Sequence, residues 1–298
     1  MTQPLISTVI ISRPQEPHLA RAILSALWQE GPAFEVVLVL DGRCAQNRRT
    51  VAMFQDARLR VFEHATSLGR GAARKRAIEE ARGAWIANVD ADDWIFPQKH
   101  VRQWAYLAEH PAVDLLSSGL LIVDRTGRAC GVRSQALVGR GLPKGALPLL
   151  YTPSLMVRAS LARCVSFDAR CRAGEDRDFL YRALPHATWA SMDDPLYVYD
   201  EYASHTLDRC LSSYGRRVVL AHRYGGPFSL GVSVVKNATK AALATAAFAV
   251  GAGDRLVQRR SSPLSKAEAM RYQHHLEQMN VALARLGARV THGADDEG

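Results

Sequence analysis

Short apolar segments alternate with segments of helical periodicity along the first 90 residues of the chain. Residues 6–11, 34–40 and 84–89 are apolar runs of strand length, which is typical of strands buried on both faces of a sheet. Residues 18–30 and 69–82 separate these runs and read as helices, the second ending at a glycine. The alternation predicts an α/β fold with a doubly wound, mostly parallel sheet.

The second part of the chain has a different pattern. From residue 207 to near the end the periodicity is helical, and the clearest helix begins at Ser265, which forms a capping box with Glu268 three residues later. We therefore expect two regions. Residues 1–205 would form the α/β domain, and residues 206–298 would form a helical extension used for acceptor docking or dimerisation.

The last long helix carries one apolar stripe, because four apolar side chains recur at alternating steps of three and four residues. They are Leu276, Met279, Leu283 and Leu286. Such a stripe either packs on the rest of the chain or forms a homodimer interface, and the sequence favours neither. A further apolar window, residues 230–253, includes Lys236, Asn237 and Lys240. It therefore predicts a buried or interfacial helix rather than a transmembrane one.

Charge and cysteine content narrow the class of protein. The formal net charge of +9 favours contact with phosphates, acidic polymers or anionic lipid headgroups without choosing among them. The five cysteines are odd in number and none has Cys-x-x-Cys spacing, so we expect a reducing compartment and neither a disulfide framework nor a zinc site. The N-terminus lacks the pattern of a signal peptide. We expect a cytoplasmic protein and leave open a peripheral position at the inner membrane face.

Polar residues stand where three of the expected strands end. Ser12, Asp41 and Asp90 would meet in one crevice, because open α/β sheets bind ligands at the carboxyl ends of their strands. Asp90 is followed by Asp92 and Asp93, and such close carboxylates repel one another unless a cation or hydrogen-bond donors neutralise them. The cluster indicates either a divalent-cation site or an acidic turn that caps the next helix.

Five segments, in this order, carry a family resemblance. They are STVII (7–11), EVVLVLDG (35–42), LGRGAAR (68–74), AWIANVDADD (84–93) and GEDRDF (174–179). Together they resemble the family 2 inverting glycosyltransferases of GT-A (Rossmann-like) fold, and the resemblance covers about residues 5 to 200. It implies transfer of a sugar from a nucleoside-diphosphate-sugar donor, in the first instance a UDP-sugar, to an acceptor hydroxyl.

The resemblance assigns donor-binding roles to several residues. Asp41 would bind the nucleotide base, although Leu40 stands where a second acidic residue is usual. Arg70 and Arg74 would lie beside the nucleotide, where a guanidinium suits phosphate oxygens, although Lys75 replaces a common asparagine. The remaining donor-binding candidates are Ser12, at the end of the first strand, and Trp94, as a wall of the sugar pocket.

The same resemblance implies a metal and a base. Asp92 would bind Mg²⁺ or Mn²⁺ directly, and Asp90 would contact the ribose or a metal-bound water. Asp176 would be the catalytic base that takes the acceptor proton, with Glu175 as its neighbour. An acidic first turn of a helix is the alternative for this pair. His205 would complete the metal shell or lie in an ordinary surface loop.

Other functions remain open at this stage. A nucleotidyltransferase is disfavoured because residues 12–17 contain no glycine-rich phosphate loop. A non-catalytic basic protein that binds nucleic acid, an anionic membrane or an anionic glycan fits the charge. The acceptor is not identified: a glycan, a lipid-linked sugar, a small molecule or DNA would each be compatible with the basic C-terminal region.

Overall fold

The structure, a computed structural model, describes residues 5–142, 147–171, 174–225 and 227–293. Within these ranges one sheet contains ten strands. The strands are β1 (Ile6–Ser12), β2 (Phe34–Leu40), β3 (Leu59–Glu63), β4 (Trp85–Asp90), β5 (Trp94–Ile95), β6 (Leu115–Val123), β7 (Ala129–Arg133), β8 (Leu137–Arg140), β9 (Met156–Arg158) and β10 (Thr188–Tyr199). The α-helices are α1 (Leu19–Leu27), α2 (Ala45–Ala52), α3 (Arg70–Glu80), α4 (Lys99–Glu109), α5 (Ala159–Val165), α6 (Glu175–Ala183), α7 (Glu201–Ser204), α8 (Leu207–Tyr224), α9 (Pro227–Ala249), α10 (Arg255–Gln258) and α11 (Lys266–Gly293).

The first four strands form the parallel part of the sheet. The order is β3-β2-β1-β4-β9-β6-β10-β5, with β7 beside β6 and β8 beside β10. Strand β1 runs parallel to both β2 and β4, and its register pairs Ser12 with Leu40 and Ile11 with Asp90. The carboxyl ends of these strands therefore lie side by side, as the sequence predicts.

The parallel strands are buried on both faces. Val36 and Leu38 of β2 pack in a cluster with α1, whereas Val37 and Val39 pack in a cluster with α3. Successive side chains of a strand point to opposite faces, so an uninterrupted apolar run satisfies both helical layers. Each fully buried side chain of this size contributes about 1.5–3 kcal/mol.

The other half of the sheet is mixed. Strands β9 and β5 are antiparallel to their neighbours. Strand β10 extends over Thr188–Tyr199, and only its last four residues form a continuous run of apolar and aromatic side chains. Its register against β6 shifts around Pro195, because proline cannot donate a ladder hydrogen bond, and this interruption hides the strand in the sequence. The short strand β8 pairs antiparallel with the first residues of β10.

The C-terminal helices pack back on the sheet domain. The α11 stripe faces a cluster that contains Leu24 and Trp94, and Met279 is fully buried there. The stripe is thus covered within the chain. The capping box is present, since Ser265 Oγ accepts from Glu268 N–H at 3.2 Å and Glu268 Oε2 accepts from Ser265 N–H at 2.8 Å. The division after residue 205, which stays a prediction, falls between α7 and α8.

No helix in the described ranges has both the length and the hydropathy needed to cross a bilayer.

Candidate active site

An open pocket lies at the carboxyl edge of the parallel strands. Five of the residues that the sequence singled out line it together: Asp41, Arg70, Arg74, Asp90 and Asp92. Asp41 follows β2, the two arginines come from the start of α3, and the other two carboxylates come from the end of β4. The convergence follows from the parallel register, because the three elements meet at one edge of the sheet.

Arg74 joins two acidic segments that are far apart in sequence. Its Nη2 donates to Asp90 Oδ1 at 2.8 Å, and its Nε lies 3.5 Å from Glu175 Oε1 at the start of α6. Burial would lower the pKa of Arg74, but the carboxylates of Asp90, Glu175 and Asp176 raise it above its usual value. The guanidinium therefore stays charged and ties the β4 cluster to the first turn of α6.

Asp41 is the centre of a hydrogen-bonded turn. Its Oδ1 accepts from Leu68 N–H at 2.8 Å and lies 2.9 Å from His64 Nδ1, while Oδ2 accepts from Ser67 Oγ at 2.8 Å and Gly69 N–H at 2.9 Å. Burial raises the pKa of Asp41, but these hydrogen bonds outweigh it and lower the pKa overall. Both oxygens have two partners, which matches their lone pairs. The carboxylate thus fixes the turn before α3, and its role in base binding stays a prediction.

The three carboxylates after β4 have different environments. Burial, together with the charges of Asp90 and Glu16, raises the pKa of Asp92 to about 6. Burial, followed by Asp92 and Asp90, raises the pKa of Asp93 well above its usual value. Asp93 is 1% exposed and accepts from Tyr197 Oη at 2.9 Å and from Asp200 N–H at 3.0 Å. Asp93 therefore supports the strand end from within, and Asp92 faces the pocket.

Tyr197 of β10 organises the same strand end, and sequence reasoning missed it. Its hydroxyl donates to Asp93 Oδ2 and accepts from Asp90 N–H, both at 2.9 Å. It fixes the backbone of the acidic segment, so the carboxylates are held before any ligand arrives. Nothing in the local pattern of β10 indicated this long-range contact; His64 beside Asp41 was missed for the same reason.

Glu175 and Asp176 lie at the start of α6, behind Gly174, whose φ of 78° is in the left-handed region that favours glycine. Glu175 is 2% exposed; its Oε1 faces Arg74, and its Oε2 has no hydrogen-bond partner within the described structure. Asp176 Oδ2 accepts from Thr152 Oγ1 at 3.0 Å. Asp176 is less buried than Glu175 and is thus the more accessible of the two carboxylates.

Five of the ten predicted site residues do not line this pocket: Glu175 and Asp176, at the start of α6, and Ser12, Trp94 and His205. Ser12 is fully buried; its Oγ donates to Arg13 O and accepts from Asn47 Nδ2. Trp94 is also buried, against Phe96 and Tyr272. Their predicted contacts with donor and sugar would require these side chains to move.

His205 does not meet the β4 carboxylates in this structure. Its Nε2 lies 3.3 Å from Cys210 Sγ and its ring packs on Phe248. Burial is the main reason why its pKa is lowered. Its predicted role as a metal ligand finds no support in this geometry.

The donor set fits a hard divalent cation only in part. Asp90 and Asp92 line the same pocket, and carboxylate oxygens are the ligands that Mg²⁺ and Mn²⁺ prefer. The described residues contain no group of three or more His, Cys, Asp or Glu side chains placed to hold a metal. The geometry therefore suits an ion that takes its other ligands from water and from substrate phosphates.

Comparison with known protein families shows that these pocket residues lie in a region of the chain that matches one family. The glycosyl transferase family 2 model matches residues 7–128, which include β1, β2, α3 and the acidic segment after β4. Residues 7–128 belong to glycosyl transferase family 2. This confirms the resemblance stated for the sequence, and the family 2 domain holds all five of the pocket residues named above.

Relatives of the family 2 domain include two curated proteins. The uncharacterized glycosyltransferase MJ1057 of Methanocaldococcus jannaschii is 28% identical over 193 residues, which cover 62% of this chain and 66% of that protein. The succinoglycan biosynthesis protein ExoO of Rhizobium meliloti is 30% identical over 196 residues, covering 61% of this chain and 56% of that protein. The chain thus spans less than two thirds of either relative.

The fold is similar to that of S. aureus TarS, a solved structure of GT-A fold. The crystal structure of S. aureus TarS 1-349 superposes with a TM-score of 0.58 at 21% identity, covering 72% of this chain and 64% of that chain. A second TarS structure, in complex with UDP-GlcNAc, also gives a TM-score of 0.58 and covers 65% of that chain. The predicted GT-A architecture with a helical C-terminal part is therefore confirmed.

Proposed function

We propose that this protein transfers a sugar from a UDP-sugar to an acceptor hydroxyl with inversion at the anomeric carbon. The observation that carries the proposal is the bridge from Asp90 through Arg74 to Glu175. It holds the acidic end of β4, where the donor would bind, next to the start of α6, which would supply the base. The family 2 domain supports the class of reaction.

The donor side of the pocket suits a nucleoside diphosphate. Arg70 and Arg74 supply guanidinium groups beside Asp90 and Asp92, so phosphate oxygens would find cationic partners and a bound ion in one place. The similar TarS structure holds UDP-GlcNAc, which supports a UDP-sugar as the donor here. Asp90 and Asp92 would hold Mg²⁺ or Mn²⁺, and such an ion, when bound, would stabilise the negative charge on the departing diphosphate.

The acceptor side would use Asp176. An inverting transfer forms the bond between the acceptor oxygen and the anomeric carbon as the bond to the diphosphate breaks, and the hydroxyl proton passes to a base. Asp176 is partly exposed and is oriented by Thr152, so one oxygen is held while the other can receive the proton. Glu175, buried against Arg74, would position that guanidinium.

A thermal-shift screen of nucleoside diphosphates with and without Mn²⁺ tests the donor site, because a ligand that binds only the folded state raises the melting temperature. We expect UDP with Mn²⁺ to give the largest shift and Asp92→Asn to remove the metal-dependent part. Asp193→Asn, which changes an exposed carboxylate outside the pocket, is the matched control. An equal shift in the Asp92→Asn variant would contradict the metal assignment.

Asp176→Asn tests the base separately. We expect this variant to keep the UDP shift and to lose transfer by about 10²- to 10⁴-fold, the range typical of general-base removal. Transfer at the wild-type rate would rule out Asp176. If UDP fails to bind the wild-type protein under all metal conditions, the protein is better explained as a non-catalytic binding module.

A further inference from the structure

Helix α9 has an apolar face that the rest of the described chain leaves open to solvent. Val232, Val235 and Leu243 are 51%, 68% and 61% exposed, and Val250, just beyond the helix, is 77% exposed. Their spacing puts all four on one side, because residues separated by about three, seven or eight positions share a helical face. Solvent-exposed apolar side chains gathered on one face indicate an interaction surface.

The opposite side of α9 is already covered. Ala244 is fully buried and Phe248 packs with Cys210 and Tyr214 of α8. Asn237 is also buried, with its amide bonded to Ser233 within the helix. The helix therefore has two apolar sides, and packing within the chain explains only one of them.

The charges on α9 are all positive. The helix contains Lys236 and Lys240 and no acidic residue. Burial, followed by Arg217, Lys236, Arg260 and Arg177, lowers the pKa of Lys240, which shows that cations crowd this border of the helix. An apolar helical face with a cationic border is the pattern of helices that lie in the plane of an anionic bilayer surface.

We propose that the face formed by Val232, Val235, Leu243 and Val250, here called the α9 outer face, binds the surface of an anionic lipid membrane. The four apolar side chains would enter the headgroup region, and Lys236 and Lys240 would contact lipid phosphates. The helix would lie on the bilayer and not cross it.

A second copy of the chain is a poorer partner for the same face. A twofold contact brings the same patch of both copies together, so Lys236 and Lys240 would meet their own equivalents without any acidic side chain on α9 to pair with. Nucleic acid is also disfavoured, because its phosphate backbone offers no apolar surface for four aliphatic side chains.

The proposal does not depend on the proposed reaction, because lipid binding can be measured without donor or acceptor. The full chain is sedimented with large unilamellar vesicles of phosphatidylcholine alone or with one quarter phosphatidylglycerol. We expect binding to the anionic vesicles only, weakening as salt is added. Absence of binding to the anionic vesicles at low salt would overturn the proposal.

Two aspartate substitutions test the face itself. Val235→Asp should reduce binding on the order of tenfold, because it places a charge in the apolar face. Val138→Asp, in β8, changes a valine of the same 68% exposure elsewhere on the surface and should leave binding unchanged. Both sites are exposed, so both variants should fold, which circular dichroism verifies. Equal loss in the two variants would contradict a specific face.

One lysine substitution and a light-scattering measurement separate the remaining explanations. Lys236→Glu should weaken binding to anionic vesicles about fivefold. Unchanged binding of this variant to the anionic vesicles would contradict the headgroup contact. If light scattering showed a wild-type dimer that Val235→Asp dissociates, the α9 outer face would be a contact between copies and the lipid assignment would be wrong.

Discussion

Arg74 is the residue on which the charge balance of the site most depends. It is 11% exposed and faces Asp90 and Glu175, so its removal would leave a buried carboxylate at Glu175 without a counter-charge. Breaking a buried ion pair from one side is costly because desolvation of the remaining charge is no longer compensated. The same side chain is also placed to contact the donor diphosphate, so structure and binding depend on it together.

We expect Arg74→Ala to lower the free energy of unfolding by about 3–5 kcal/mol, measured by urea denaturation. Arg76→Ala is the control on the same helix, since Arg76 pairs with Glu80 at an exposed position and should cost about 0–1 kcal/mol. Adding Glu175→Gln to Arg74→Ala should recover part of the loss. Equal costs for the two alanine variants would show that the bridge contributes little.

Asp92 illustrates a conflict between stability and binding. Its pKa of about 6 lies above the ordinary 3.8 because burial and neighbouring carboxylates disfavour its charge. The folded state therefore binds the proton more tightly than the unfolded state. The unfavourable contribution of Asp92 to stability grows as pH rises from about 4 to about 6, and is constant above that.

Asp92→Asn removes this penalty, so we expect the ligand-free variant to be more stable than the wild type at pH 7.5 by about 1–3 kcal/mol. At pH 4 the two proteins should be equally stable, because Asp92 is then protonated. Melting temperatures across this pH range, without added metal, provide the measurement. A variant that is less stable at pH 7.5 would contradict the raised pKa.

At the scale of elements, the start of α3 depends on a glycine for close packing. A Cβ on Gly71 would lie 2.2 Å from the carbonyl oxygen of Asp168 and 2.7 Å from that of Cys171. Both obstacles are backbone atoms, so relief requires a shift of the helix or of the segment before α6. Either shift would disturb Arg74, which spans the same gap.

Gly71→Ala should therefore destabilise the protein by about 1–3 kcal/mol and weaken UDP binding. Gly215→Ala provides the opposite control: it lies in α8 with nothing within 4 Å of the added Cβ, so it should stabilise by about 1 kcal/mol. Urea denaturation and the UDP thermal shift measure both. A neutral Gly71→Ala would mean that α3 can move without cost.

Elements with a strong local pattern could be predicted from the sequence. The double burial of β1, β2 and β4 produces mostly apolar runs, and the residue at which each strand ends can be located from the end of its run. The order of these strands then brings Asp41, Asp90 and Asp92 together. In contrast, the apolar pattern of β10 is interrupted by Asp193, Asp194 and Pro195. The sequence pattern therefore predicts only the end of this strand.

Contacts between distant elements could not be predicted in this way. The partners of Trp94 and His205 come from α11 and from α8 and α9, and no local spacing encodes such packing. Trp94 stands next to the acidic segment in sequence, yet it does not line the pocket of Asp41, Arg74 and Asp90, and its ring packs on Phe96 and on Tyr272 of α11. Proximity in sequence therefore does not predict the orientation of a side chain that is set by tertiary packing.

At the scale of the whole molecule, α11 links the C-terminal helices to the sheet domain. Met279 is 1% exposed and Tyr272 packs on Trp94, close to the end of β4. The long helix thus packs against β5, which directly follows the acidic residues at the end of β4. Undocking of α11 would expose Leu24, Trp94 and Phe96 together.

Two methionines of α11 test this docking. Met279→Ala should lower the free energy of unfolding by about 2–5 kcal/mol, because it leaves a cavity between α11 and the domain. Met270→Ala, at a position 73% exposed on the same helix, should change it by less than about 0.5 kcal/mol. Because Trp94 borders the docked helix, loosening of α11 should also reduce UDP binding in the Met279→Ala variant, measured at a temperature where it remains folded. If both variants were equally stable, α11 would be an appendage, and the acidic end of β4 would be held in place by contacts within the sheet domain, among them those of Tyr197 and Arg74.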